Sequence, residues 1–252
     1  MPKPIVKVTN RTKRYDNKSV VDGISFEVNK GEIFGILGPN GAGKTTTLEM
    51  MESLRSIDSG EIAIDGINVA EDPEGVKRII GVQPQTAAFQ DKQKLTEIID
   101  MFAAAYGEKV DAKVLLDEVD LGGKANSYAE NLSGGQRQRL SIAAALVHNP
   151  KVFFMDEPTT GLDPQARRNL WDLTRMVQQK GVTVIITTHY MDEAELLCER
   201  VAIMDKGKII SMDSPAVLIK QLLKKGFKKE QKVEQANLED VFIDLTGKAL
   251  RD

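Results

Sequence analysis

The segment Ile33-Phe-Gly-Ile-Leu37-Gly38-Pro39-Asn40-Gly41-Ala42-Gly43-Lys44-Thr45-Thr46 runs from an apolar stretch, through a glycine-rich turn, into a helical pattern expected to reach Leu54. A buried strand, a loop free of bulky side chains and a helix N-terminus, in that order, make a cradle for phosphate. Glycines let backbone N–H groups close around anionic oxygens because no Cβ obstructs the approach. Lys44 would sit against the β- and γ-phosphates and Thr45 would hold Mg2+, while the following helix offers its positive dipole end. The loop from Gly38 to Thr46 is therefore the candidate nucleotide site, with ATP and Mg2+ as the implied ligands. A glycine-rich turn alone is a weak signal; its placement between strand and helix is what gives it weight.

Outward from this loop, short β-branched runs bounded by turn residues recur at Ile5–Val8, Ser25–Val28, Glu61–Ile64, Ile79–Val82, Val152–Met155 and Val182–Thr187. Helical patterns alternate with several of them, at Ile142–Val147, Pro164–Lys180 and Met191–Glu199. The alternation predicts an α/β fold with a mainly parallel core sheet. The early strands between Ile5 and Val28 are closely spaced and predict an antiparallel β subdomain. Between Gln85 and Leu132 the patterns at Thr96–Tyr106 and Ala112–Val119 have no strand between them, which predicts an inserted helical subdomain over about residues 86–145. Strand character at Ile209 and Ile210, then Ser214-Pro215, predicts a further helix start.

Val152-Phe-Phe-Met155-Asp156-Glu157 is an apolar strand ending in two acids. Carboxylates at the tip of a buried strand need a counter-charge, and Mg2+ supplies one. Asp156 would orient the metal and Glu157, on the opposite side of the strand, would polarise the attacking water. Two surface acids at a strand end are common, so the pair gains meaning from the phosphate loop. His189 closes the run Val182–Thr188, where a parallel strand would deliver it to the same edge as Asp156, and its ring can donate to a γ-phosphate oxygen. His148, in a helix-to-strand turn, is expected to be structural.

Leu132-Ser133-Gly134-Gly135-Gln136 precedes a helical run. Ser133 and Gln136 fit a capping box, but capping gives no reason for two glycines; close approach of an anion to a helix N-terminus does. With the glycine loop and the two acids in the same order along the chain, this stretch resembles the signature of ABC ATPases, the P-loop nucleotide-binding domains of ABC transporters. The resemblance implies several roles. Tyr15 falls where the family stacks an aromatic on adenine, Gly161-Leu162-Asp163 follows the acids as the dimer-contact loop does, and His189 matches the switch histidine. Gln85, after Pro84, is preferred to Gln83 as the glutamine that senses the γ-phosphate and metal, leaving Gln83 as a strand-end residue. The implied assembly is a head-to-tail dimer, expected to be a homodimer. In it Leu132–Gln136 of one subunit close over ATP held by the Gly38–Thr46 loop of the other, and transmembrane permease subunits are driven.

Composition is consistent with this. The 252 residues are 41% hydrophobic and 28% charged with a net charge of −3, which gives no whole-chain footprint for nucleic acid. No apolar run approaches the roughly 18 residues of a membrane helix. The N-terminus, Met1-Pro-Lys-Pro4, lacks the apolar segment of a secretory signal. A cytosolic address is expected, and the resemblance implies a position peripheral to the cell membrane through the permease. The single cysteine, Cys198, is expected to be a packed core thiol. Thr187-Thr-His-Tyr-Met-Asp-Glu-Ala-Glu195 and Leu238-Glu-Asp-Val-Phe-Ile-Asp-Leu-Thr246-Gly resemble the ATPases of type-2 and drug-resistance exporters, so export is the expected direction. The alternative is a soluble ABC ATPase of an assembly system such as iron–sulfur cluster assembly. Residues 1–225 are assigned to the ATPase domain and 226–252 to a C-terminal extension. The lysines at 220, 224, 225, 228, 229 and 232 are read as a solvated connector rather than a lipid contact.

Overall fold

The computed structural model of the protein describes residues 4–16 and 18–227. The chain divides into two compact units, 1–218 and 219–252. Of the sequence expectations, the amphipathic stretch Leu238–Leu245 and the lysines at 228, 229 and 232 lie outside the described residues.

Two sheets organise the first unit. The smaller contains β1 (Pro4–Tyr15), β2 (Lys18–Asn29), β4 (Ser59–Ile64) and β5 (Ile67–Asn68), in the order β2-β1-β4-β5 with every pair antiparallel. The larger contains β3 (Ile33–Leu37), β6 (Ile80–Gln83), β7 (Val152–Asp156), β8 (Thr183–Thr188), β9 (Arg200–Asp205) and β10 (Lys208–Asp213), in the order β10-β9-β3-β8-β7-β6. All its pairs are parallel except β9 with β10. The expected core sheet, antiparallel subdomain and helical insertion are all present.

Helices fill the connections: α1 (Lys44–Met51), α2 (Pro73–Lys77), α3 (Leu95–Tyr106), α4 (Ala112–Glu118), α5 (Gly134–Leu146), α6 (Pro164–Gln179), α7 (Met191–Leu197) and α8 (Pro215–Lys224). Strand alternation splits the core in two. In β7, Phe153 and Met155 face the helical layer, while Val152 and Phe154 face α1 and the antiparallel sheet. Ile185 in β8 takes the second side and its neighbours Val184 and Ile186 the first. Both faces of these strands are buried, which is why they read as continuous apolar runs rather than alternating ones. Truncating a residue such as Phe153, which is fully buried, should cost about 3–5 kcal/mol.

α6 shows how local sequence sets an element. Asp163 caps it by accepting from the N–H groups of Gln165 and Ala166, each at 2.9 Å, and Pro164 occupies the first helical position. Leu170, Leu173, Thr174 and Val177 form its buried stripe. Cys198 is buried, its thiol pushed up by that burial, and its Sγ would lie 2.7 Å from a Cβ placed on Gly35.

Several boundaries differ from the sequence expectation. α1 ends at Met51 rather than Leu54, because Ser53 takes a left-handed backbone with φ 61° that no helix continues through. The helix expected at Ile142–Val147 begins at Gly134; the polar run Arg137-Gln-Arg139 masks its first turns. α7 stops at Leu197 rather than Glu199, and Arg200–Asp205 form β9, a strand the sequence pattern did not mark.

Candidate functional site

In the order β3-β8-β7 the three strands run parallel, so their C-terminal ends share one edge. That edge receives Gly38 from β3, Asp156 and Glu157 from β7, and Thr188 and His189 from β8. Open parallel sheets bind ligands outside such an edge. Gly38 N–H donates to Thr188 O at 3.3 Å, stitching two of the loops together. The cradle turns into α1 at Gly43, whose φ of 100° and 2.6 Å approach of a built Cβ to Val20 O exclude any side chain.

Lys44 is buried, with Nζ donating to Gly38 O at 2.9 Å and Pro39 O at 3.2 Å and pairing with Glu157 Oε1 at 3.0 Å. Thr45 Oγ1 donates to Asp156 Oδ1 at 3.2 Å, and the Thr187 hydroxyl donates to the same oxygen. His189 Nδ1 lies 3.1 Å from Glu157 Oε2. Glu157 lies beyond the strand end with φ 45°, an uncommon backbone for a residue with a side chain. Its N–H is held by Thr187 O at 3.1 Å and Thr187 Oγ1 at 3.0 Å. The left-handed turn, not strand alternation, therefore directs this carboxylate, and both acids meet the loop: Asp156 at Thr45 and Glu157 at Lys44. Burial alone would raise the Glu157 carboxyl, but Lys44 and His189 outweigh it and hold it below the usual range. Glu157 is thus a carboxylate at neutral pH, as a group that polarises water must be.

The donor set also fits Mg2+. One hydroxyl and one carboxylate stand together at Thr45 and Asp156. No group of three His, Cys, Asp or Glu side chains among the described residues forms a metal cage. Mg2+ is held in this sparse way when waters and substrate phosphates complete its shell.

The other candidates lie apart from this cluster. Gln85 is exposed in the loop after β6 and hydrogen-bonds to none of the loop residues among the described residues. Gln83 is fully buried, its Nε2 donating to Gln138 Oε1 of α5 at 2.6 Å. Tyr15 exposes its ring at the β1–β2 turn, with its hydroxyl accepting from Arg55 Nη1 at 2.9 Å. The signature sits at the start of α5. Ser133 Oγ accepts from Gln136 N–H at 3.3 Å and Gln136 Oε1 accepts from Ser133 N–H at 3.1 Å, completing the capping box. A Cβ on Gly135 would meet Ala166 of α6 at 3.0 Å, whereas one on Gly134 would reach only Leu162, at 3.9 Å. Packing therefore explains Gly135 and leaves Gly134 unexplained from within the chain. Leu132–Gln136 and Gly161–Asp163 accordingly adjoin each other. His148 stacks on Tyr106 at 3.8 Å and its Nε2 bonds to Ile80 O at 2.9 Å, a structural role as expected. Thr187 was not singled out from sequence; the polar pair Thr187-Thr188 closing an apolar strand was the available signal.

The ABC transporter family profile matches residues 21–160, more than half of the chain. The chain belongs to the ABC transporter family. As an ABC ATPase subunit it binds and hydrolyses ATP. It is 43% identical over 212 residues to the Nod factor export ATP-binding protein I of Burkholderia thailandensis, covering 82% of this chain and 70% of that one. It is 39% identical over 223 residues to a linearmycin resistance ATP-binding protein of Bacillus subtilis, covering 86% and 72%. Among solved structures, an ATP-binding subunit of an ABC transporter matches with a TM-score of 0.78 and 27% identity over 96% of this chain and 99% of the other. A dimeric ATP-binding cassette in a post-hydrolysis state with ADP and Pi matches with a TM-score of 0.74 and 27% identity over 83% and 98%. An export protein and a transporter subunit stand among these relatives, which favours transport over the assembly alternative. No helix of this ABC ATPase is long and apolar enough to cross a membrane among the described residues.

Proposed function

We propose that this chain is the ATP-hydrolysing half-motor of an ABC exporter, working as a head-to-tail homodimer at the cytoplasmic face of the membrane. The observation that carries the chemistry is the meeting of Lys44 with Glu157 at 3.0 Å and Thr45 with Asp156 at 3.2 Å at one sheet edge. The Gly38–Thr46 backbone and Lys44 bind the phosphates, and the Tyr15 ring stacks on the base. Thr45 and Asp156, assisted by Gln85, hold Mg2+, which when bound neutralises charge on the phosphate oxygens. Glu157 accepts a proton from the attacking water while His189 orients the carboxylate and donates to the γ-phosphate. Leu132–Gln136 of the opposing subunit close the site, and Gly161–Asp163 contact the partner across it; the absence of an internal reason for Gly134 supports this reading.

The ATPase domain spans residues 1–225, with the helical subdomain over about 86–145 and residues 226–252 as an extension. A cleft of about 410 Å³ between β6 and the helices α3 and α5, lined by Ile80, Val82, Pro84, Phe89 and Phe102, adjoins Gln85. It supports contact with a permease subunit beside the glutamine loop. Export is favoured by the names of the Nod factor and linearmycin relatives.

The test is Glu157→Gln. ATP binding should persist, turnover should fall by about 10²- to 10⁴-fold, and an ATP-dependent dimer should accumulate in size-exclusion chromatography. Hydrolysis at the parental rate would remove Glu157 from the mechanism.

A further inference from the structure

Glu193 is a carboxyl with no solvent exposure, on the short helix α7, and the mechanism above does not use it. Its Oε1 accepts from Trp171 Nε1 of α6 at 3.0 Å. Two hydroxyls also face the carboxyl: Thr188, which immediately precedes His189, and Thr159, two residues after Glu157. Both are almost completely buried. Glu193 Oε2 and Thr159 Oγ1 do not reach hydrogen-bond geometry and are left as buried atoms without a partner. Buried polar atoms are rarely left unmatched, so a carboxyl placed among these three groups needs a reason.

We propose that Glu193 is a positioning residue for hydrolysis. It stands between Thr159, on the turn that carries Glu157, and Thr188, on the strand end that carries His189, and so sets the spacing of the two turns, while its bond to Trp171 ties it to the helix that begins at the Gly161–Asp163 loop. The distance it governs is the 3.1 Å between His189 Nδ1 and Glu157 Oε2. Because Glu157 is held in a left-handed backbone, its carboxylate direction depends on what grips the residues on either side. Thr187 grips the N-terminal side, and Thr160 N–H, donating to Glu157 O at 3.2 Å, continues the turn toward Thr159. Burial raises the Glu193 carboxyl, against the hydroxyls, Trp171 and Arg167, which lower it. A proton on Oε2 would supply the donor that Thr159 Oγ1 lacks. An amide at this position would do the same while keeping an acceptor for Trp171.

The inference rests on Glu157 and His189 acting as proposed above, so Glu157→Gln is assayed alongside. Steady-state ATPase rates and nucleotide affinities are measured for the full chain with Glu193→Ala, Glu193→Gln and Thr159→Val. Glu193→Ala should lose about tenfold or more in kcat with nucleotide Kd within about twofold of wild type, and Glu193→Gln should retain more than about a third of kcat. Thr159→Val preserves side-chain shape and should lose about threefold or more in kcat with Kd unchanged, a readout that survives if Glu193→Ala does not fold. Wild-type kcat in Glu193→Ala or Thr159→Val would overturn the inference. So would Glu193→Gln no better than Ala, or a loss of nucleotide affinity parallel to the loss of rate. If Glu157→Gln is itself active, the reading of the site fails; if it is inactive while Glu193→Ala is normal, only the positioning role fails.

Discussion

Glu52 offers a quantitative check on the electrostatics of the fold. It caps the C-terminal end of α1, the helix whose other end carries Lys44, and it is only 5% exposed. It lines the apolar cleft beside Ile80, Val82 and Ala144, and its carboxyl has no hydrogen bond or ion pair among the described residues. Burial, then the charges of Asp156 and Glu49, push its pKa from 4.5 up to about 8. A carboxylate at a helix C-terminus also opposes the dipole. The folded protein therefore keeps a proton that the unfolded chain releases above about pH 4.5. Stability from this group is fully present below that pH and is lost as pH rises to about 8. At pH 7 the lost stability is on the order of 3 kcal/mol, taking about 1.4 kcal/mol for each pH unit above the unfolded value. Glu52→Gln removes the titration while keeping the shape. In urea unfolding without nucleotide, variant and wild type should have nearly equal stability near pH 4, below the unfolded value of 4.5. The variant should be more stable by about 2–3 kcal/mol at pH 7, the gap widening until about pH 8. A difference that does not change with pH, or a variant less stable at pH 7 than at pH 5 relative to wild type, would refute the reasoning.

Lys44→Ala should abolish measurable nucleotide binding in calorimetry, since the buried ammonium is the one side-chain cation at the cradle carbonyls of Gly38 and Pro39 among the described residues. Unchanged affinity would remove it from the phosphate site. The two signature glycines should behave differently. Gly135→Ala should destabilise the fold by about 1–2 kcal/mol through its contact with Ala166. Gly134→Ala should leave stability unchanged or raise it by up to about 1 kcal/mol yet suppress ATP-dependent dimerisation and turnover. Equal effects of the two on stability, or normal turnover in Gly134→Ala, would contradict the assignment of the first glycine to an intersubunit contact.

Much of this arrangement was legible in the sequence because its signals are local. The Gly38–Thr46 loop announces itself through glycines required by backbone geometry, and the doubly buried strands β3, β7 and β8 through unbroken apolar runs. Asp163 and Ser133 mark the starts of α6 and α5 by their caps. Other features depend on long-range contacts. Strand alternation put Glu157 opposite Asp156, but the hydrogen bonds its N–H donates to Thr187, thirty residues along the chain, hold Glu157 in a turn that sends it to Lys44. β9 escaped because Cys198 and Glu199 continue a helical pattern until pairing with β3 draws Arg200 onward into the sheet. Glu193 carries no local signal of burial, and only the packing of α7 against α6 and β8 shows it to be internal.

The amide pair Gln83–Gln138 is a part-buried side-chain link between the edge strand β6 and α5, the helix capped by Ser133. Gln83 Oε1 has no partner, so half of that amide's bonding capacity is unused. Swinging α5 away from β6 would break this bond, at a net cost of about 0.5–1.5 kcal/mol. Any displacement of the helical layer away from β6 therefore works against this polar link as well as against the apolar packing of α5.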